Sequence, residues 1–180
     1  MALRIRHAAD DKKINGILIE NGLGGLGASS AKVILDALED FKESDKFLAA
    51  YGDFYTQQGY YLASPADHIT LHPVGTVDFR GFASYVPFFK GLLDKIGIDM
   101  QIYYAGNFKS ATEPFRRTEM SPENKLQTRE YLTDTYDMYL QDIADARQIN
   151  VDSLKNMAWQ FQIKSADDAL RYKLVDEIGA

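Results

Sequence analysis

The chain has 180 residues, 46% of them hydrophobic and 26% charged, with a formal net charge of −6. That length suits one domain with a sizeable core, and an acidic balance without any Lys/Arg block argues against nucleic-acid binding. The absence of cysteine excludes disulfides and thiolate metal sites, and no apolar run approaches the roughly 20 residues of a membrane helix.

The chain begins abruptly. Leu3 to Ala9 reads as a helix with no strand before it and no signal peptide, so the expectation is an excised piece of a longer protein. Ile14 to Glu20 is an apolar run of the length of a buried strand. Asn21 to Gly27 then places four glycines in seven residues, ahead of Ala28-Ser29-Ser30. This predicts a strand, a glycine-rich loop and a serine-capped helix. Val33, Ile34, Ala37, Leu38 and Phe41 give that helix one apolar face, and Phe47 to Tyr51 is the next strand. The β-loop-α-β order predicts an α/β fold with a mostly parallel sheet. The glycine-rich loop is neither a Walker loop nor a dinucleotide fingerprint. Its glycines either present backbone N–H groups to an oxyanion, Gly24 and Gly25 being the candidates, or allow positive φ and close packing.

Thr56-Gln57-Gln58-Gly59-Tyr60 precedes a turn at Ser64 to Asp67, and His68 to His72 alternates as a strand. Its two histidines, spaced by about 13 Å on a strand, do not make a zinc site with His7, the third in the chain. Pro73 to Asp78 reads as a loop and Phe82 to Ser84 as a short extended piece. Pro87 opens a helix with Phe88, Leu92, Leu93 and Ile96 on its buried side; Gly97 ends it, and Ile98 to Tyr104 returns to the sheet. From Ser121-Pro122 a helix capped by Ser121 runs to about Ile149, with Leu132, Tyr136, Tyr139, Leu140 and Ile143 at helical spacing. A short helix from Asp152 to Trp159 follows. Ser165 to Leu170 and Lys173 to Gly179 then form a helix and a return strand that seal the domain edge.

Between these elements lies Tyr103 to Phe115, where an aromatic strand meets a Gly106-Asn107 turn and one lysine, Lys109, sits among Phe108, Ala111 and Phe115. A desolvated lysine loses its preference for the charged form and acts as a general base. Lowering its pKa from about 10.4 to about 8 takes roughly 3 kcal/mol, which partial burial and the guanidinium groups of Arg116 and Arg117 would supply. The alternative is a surface lysine whose stem covers an aromatic ring.

The run Gly106 to Arg117, followed by Met120-Ser121-Pro122, resembles the signal peptide peptidase A (protease IV) family, specifically the amino-terminal repeat of its long two-repeat form. The resemblance implies a Clp-protease/crotonase-like fold, a repeated β-β-α superhelix, over a single domain spanning 1–180, plus a long helix towards the C-terminus. It implies that Lys109 is the general base of a Ser/Lys dyad and that Gly24-Gly25 matches the oxyanion turn. In the family's catalytic repeat an Ala-Ser-Gly-Gly-Tyr frame holds the nucleophile; here Gln57 occupies the serine's place, and an amide cannot be activated as a nucleophile. The expected protein is therefore a membrane-bound serine endopeptidase degrading cleaved signal peptides, of which this chain supplies the base and is inactive alone. The resemblance further implies signal peptides or other apolar extended peptides as substrate, a second repeat of the same chain as partner, and homo-oligomers. It also implies a membrane anchor outside this chain, placement on the periplasmic side of an inner membrane, and no cofactor. The alternative is a non-catalytic scaffold repeat of the same assembly; an acyl-CoA crotonase enzyme is weaker, with Glu20 and Glu113 the acidic residues in these motifs.

Overall fold

The computed structural model describes residues 1–20, 25–106 and 108–180. Two compact units make up the chain: Met1–Gly81 together with Met138–Ala180, and Phe82–Asp137.

The first unit is built on a four-stranded sheet in the order β1-β2-β3-β4. Its strands are β1 (Gly16–Glu20), β2 (Phe47–Tyr55), β3 (His68–Val77) and β4 (Glu177–Ile178). Every neighbouring pair is parallel, as the alternation of strands and helices predicts. The opening helix α1 (Ala2–Asp10) precedes β1, and α2 (Ala28–Lys42) connects β1 to β2. Gly27, not a serine, stands at the N-cap of α2, and no side chain caps it. Ser29 and Ser30 fall inside the first turn, so the expected serine cap is corrected. The buried face of α2 is Ala31, Ile34, Leu35, Ala37, Leu38 and Phe41, while Val33 is exposed. Ile34, Ala37, Leu38 and Phe41 of the expected face are thus buried, and Ala31 and Leu35 join them in place of Val33.

The Pro73–Asp78 segment also departs from expectation: β3 continues through it to Val77. Pro73 is tolerated because the β2–β3 register breaks there, with Gly52 opposite Leu71 but Phe54 opposite Thr76. A bulge leaves proline's missing N–H outside the ladder. Gly75 sits against the backbone carbonyls of Asp53 and His72, where a Cβ has no room.

The helices α3 (Gln57–Ala63), α7 (Val151–Trp159) and α8 (Ala166–Arg171), with the later part of α6 (Pro122–Arg147), complete the core. Tyr60, Tyr61, Leu62, Leu140, Ile143, Leu154 and Ala169 are fully buried there. Capping is local: Thr56, Asn150 and Ser165 each accept backbone N–H bonds at their helix starts. The closing element is tied down by Arg147, whose guanidinium donates to Asp176 Oδ1 at 2.6 Å. The other Asp176 oxygen accepts from Ile69 N–H at 2.8 Å, so the return strand is the edge seal that the sequence suggests.

The second unit contains α4 (Lys90–Lys95), a 3₁₀ turn at Ser110–Thr112, α5 (Glu113–Arg116) and the first part of α6. The helix begins at Lys90, not Pro87, and ends at Lys95, with Gly97 (φ +72) just past the C-cap Ile96. Leu92 and Ile96 are exposed, and no residue of α4 is buried; its expected buried side is absent. Ile98 to Tyr104 is not a strand. Ile98, Met100, Tyr103 and Tyr104 are exposed, and the residues that periodicity assigned to the sheet lie on this unit's surface.

Candidate functional site

Lys109 lies at the N-cap of the 3₁₀ turn, one residue before Ser110, with a backbone (φ −96, ψ 71) that is neither helical nor extended. A polar clamp holds the segment that carries it. Glu113, the first residue of α5, is fully buried. Its Oε2 accepts hydrogen bonds from Ser121 N–H at 3.1 Å and from Asn124 Nδ2 at 2.8 Å. Ser121 in turn caps α6 by accepting from Asn124 N–H at 3.1 Å, as its place before Pro122 predicts. Arg116 lies 3.7 Å from the other Glu113 oxygen. Burial alone raises a carboxyl's pKa, but the bonds from Ser121 and Asn124 and the charge of Arg116 outweigh it and hold Glu113 below the usual glutamate range. The carboxylate thus fastens the lysine-bearing turn to the start of the long helix.

Around Lys109 the geometry differs from the expected dry pocket. Lys109 and Phe108 are exposed, so the burial expected to desolvate the amine is not provided by this chain. The guanidinium groups are committed elsewhere. Arg116 stacks over the Tyr104 ring at 3.8 Å and donates to Thr112 Oγ1 at 3.1 Å, while Arg117 donates to the Glu119 carbonyl. No hydrogen bond joins Ser110 to Lys109 among the described residues. What the segment does form is an open concavity of about 440 Å³, lined by Tyr103, Tyr104, Phe108, Lys109, Ala111 and Gln127.

Gln57 is the first residue of α3, just after the N-cap Thr56. It is 8% exposed, and its Oε1 accepts from the consecutive N–H groups of Arg80 at 3.1 Å and Gly81 at 2.7 Å. Gln58 reproduces the pairing of a peptide: Oε1 accepts from Leu26 N–H at 2.9 Å, and Nε2 donates to the Leu26 carbonyl at 2.7 Å. It thereby fastens the end of the glycine-rich loop. Gly25 is exposed with φ +83; Gly24, the other oxyanion candidate, lies outside the described residues. The sequence reading missed Glu113 as an anchor and the bonding roles of Gln57 and Gln58. The serine cap eight residues downstream was legible, but a side chain reaching across a loop leaves no periodicity to detect.

His68 pairs with Glu177 at 2.9 Å across β3 and β4. Among the described residues no cluster of three metal-ligating side chains forms, and no helix is long and apolar enough to cross a membrane.

A parallel β-α-β sheet with a helix starting right after β2 defines a Clp-protease/crotonase-like domain. A family model described as "Peptidase family S49" matches residues 40–180. The chain belongs to that peptidase family. It is 36% identical over 158 residues to "Protease 4" of Haemophilus influenzae, covering 87% of this chain and 26% of that protein. To "Protease 4" of Salmonella typhi it is 35% identical over 188 residues, covering 98% of this chain and 30% of that protein. A "Putative signal peptide peptidase SppA" of Enterococcus faecium is 25% identical over 177 residues, 98% of this chain and 51% of that protein. The chain therefore spans less than a third of the two Protease 4 relatives.

Proposed function

We propose that this chain is the amino-terminal repeat of a larger serine endopeptidase that degrades cleaved signal peptides, and that Lys109 is its general base. The observation that carries the reading is the clamp. Glu113 fixes the turn bearing Lys109, and that turn presents an exposed amine beside an aromatic concavity, in a member of a peptidase family. At the position where a nucleophile is expected, Gln57 supplies only an amide, its oxygen already bonded. A serine from a second repeat would attack the scissile carbonyl. The Lys109 amine would take its proton and return it to the leaving amine, while backbone N–H groups such as those at Gly24-Gly25 would hold the oxyanion. The dry surroundings that a basic lysine needs would come from the second repeat and the bound peptide. An apolar, extended peptide suits the aromatic lining of the concavity. A membrane anchor, the periplasmic side of an inner membrane and a homo-oligomer belong to the same reading.

The test is Lys109→Ala in the full-length two-repeat protein. Peptide hydrolysis should fall by about 10²–10⁴-fold with oligomer size unchanged, and the 180-residue chain alone should hydrolyse nothing. Retained hydrolysis in the alanine variant would refute the base assignment and leave the scaffold reading. One observation favours that second reading. Among the described residues of 82–137 only Glu113, Ser121 and Asn124 are buried, whereas Tyr85 and Tyr103 are each 92% exposed. Apolar surface on this scale marks a binding face.

A further inference from the structure

We propose that the consecutive amides of Arg80 and Gly81 form a receptor for one carbonyl or carboxylate oxygen, and that Gln57 is its built-in occupant. Both N–H groups converge on a single atom, Gln57 Oε1, at 3.1 and 2.7 Å. Two donors facing one side-chain amide admit only its oxygen; the NH₂ end would set donor against donor. Successive backbone amides aimed at one point form a concavity for an oxygen bearing partial or full negative charge. The turn is shaped to make it: Gly81 has φ +102, a conformation that glycine adopts without penalty. The neighbouring bonds hold the turn independently of Gln57. Asp78 N–H donates to the Tyr55 carbonyl at 2.8 Å, and Arg80 pairs with Asp78 at 2.9 Å.

The occupant is held as firmly as the receptor. Gln57 is nearly buried and opens a helix whose cap, Thr56, accepts from Gly59 N–H at 2.9 Å. The side-chain amide therefore stands where the backbone carbonyl of a bound peptide would meet the same two donors. A short side chain at position 57, serine included, would leave both N–H groups open. The glutamine thus does two things at once: it omits a nucleophile and it closes an oxygen site. This inference does not depend on Lys109 or on any second repeat.

The experiment reads the two amides directly by NMR on the 180-residue chain. In Gln57→Ala, exchange of the Arg80 and Gly81 amides should quicken by about tenfold, since each loses its acceptor. The Gly59 amide should be unchanged. Sodium acetate, as the carboxylate probe, should shift both resonances and slow their exchange in the alanine variant but not in the parent. N-methylacetamide, as the carbonyl probe, should do the same more weakly. Unchanged exchange in Gln57→Ala, or the same acetate response in parent and variant, overturns the proposal. So does quickened exchange that neither probe reverses, which would make the glutamine a peg and not an occupant. Should Gln57→Ala not fold, Gln57→Glu preserves the shape: both amide resonances must then move as the new carboxylate titrates, and resonances indifferent to pH refute the receptor.

Discussion

Removing the Glu113 carboxylate should loosen the turn that carries Lys109 while leaving the parallel sheet intact. The carboxylate is buried and accepts from Ser121 N–H and Asn124 Nδ2, with Arg116 close by. Glu113→Gln keeps the shape and one acceptor but loses the charge that strengthens both bonds, costing about 1.5–3 kcal/mol. Glu113→Ala strands the buried donors and should cost about 3–5 kcal/mol. At roughly 1.4 kcal/mol per factor of ten, hydrogen–deuterium exchange across 108–125 at neutral pH should quicken by about 10- to 150-fold in the glutamine variant. Strands β1 to β3 should exchange as before. The pH dependence has a definite sign. The carboxyl's folded pKa lies below its ordinary value: burial pushes it up, but the Ser121 and Asn124 bonds and Arg116 more than reverse that. Its stabilisation is therefore complete above the unfolded value of about 4.3 and is lost as pH falls through the lower folded value. The parent segment should loosen in that acid window, and Glu113→Gln should show no such step. Exchange within twofold of the parent in both variants would refute the clamp.

Two further predictions concern the first unit. Gly75→Ala would drive a methyl group into the Asp53 and His72 carbonyls at the β3 bulge; neither is the end of a flexible side chain, so the loss should be about 1–3 kcal/mol, read as a lowered urea midpoint. Tyr61→Phe removes the hydroxyl that donates to Asp142 Oδ2 at 2.6 Å but keeps the ring stacked on Tyr139 at 3.8 Å. The cost should be about 1.5–3 kcal/mol, and a loss no larger than that of an exposed tyrosine would show the bond to be idle.

The sheet was legible because its signals are local and repeated. Apolar runs of strand length and a helical stripe between them each depend on residues within a few positions of one another. Where the sequence misled, a longer-range effect won. Pro73 to Asp78 carries loop residues, yet the register break at Gly52 and Phe54 lets β3 run on through them. Ile98 to Tyr104 has the composition of a strand, but β1 to β4 close the sheet without it. Composition reports what a segment would do if a partner strand were present, and among the described residues none is. The same limit applied to Lys109. Its aromatic neighbours in sequence allow a buried or a surface lysine, and Phe108 remains 58% exposed, because aromatic residues adjacent in sequence do not pack over one another without a surface behind them.

That difference separates the two units in physical terms. The first has a core of fully buried large side chains, including Tyr60, Tyr61, Phe41 and Leu140, and its polar pins only refine a core that already exists. In the second, among the described residues, the buried side chains are Glu113, Ser121 and Asn124; local helices and a carboxylate fix its shape while many of its large apolar groups stay exposed. A segment of that kind gains little from hydrophobic burial within itself, so covering it by another surface should stabilise it disproportionately. In the proposed enzyme the same covering would withdraw water from Lys109. The clamp at Glu113 would then set where the amine stands, and the covering surface would determine whether it can work as a base.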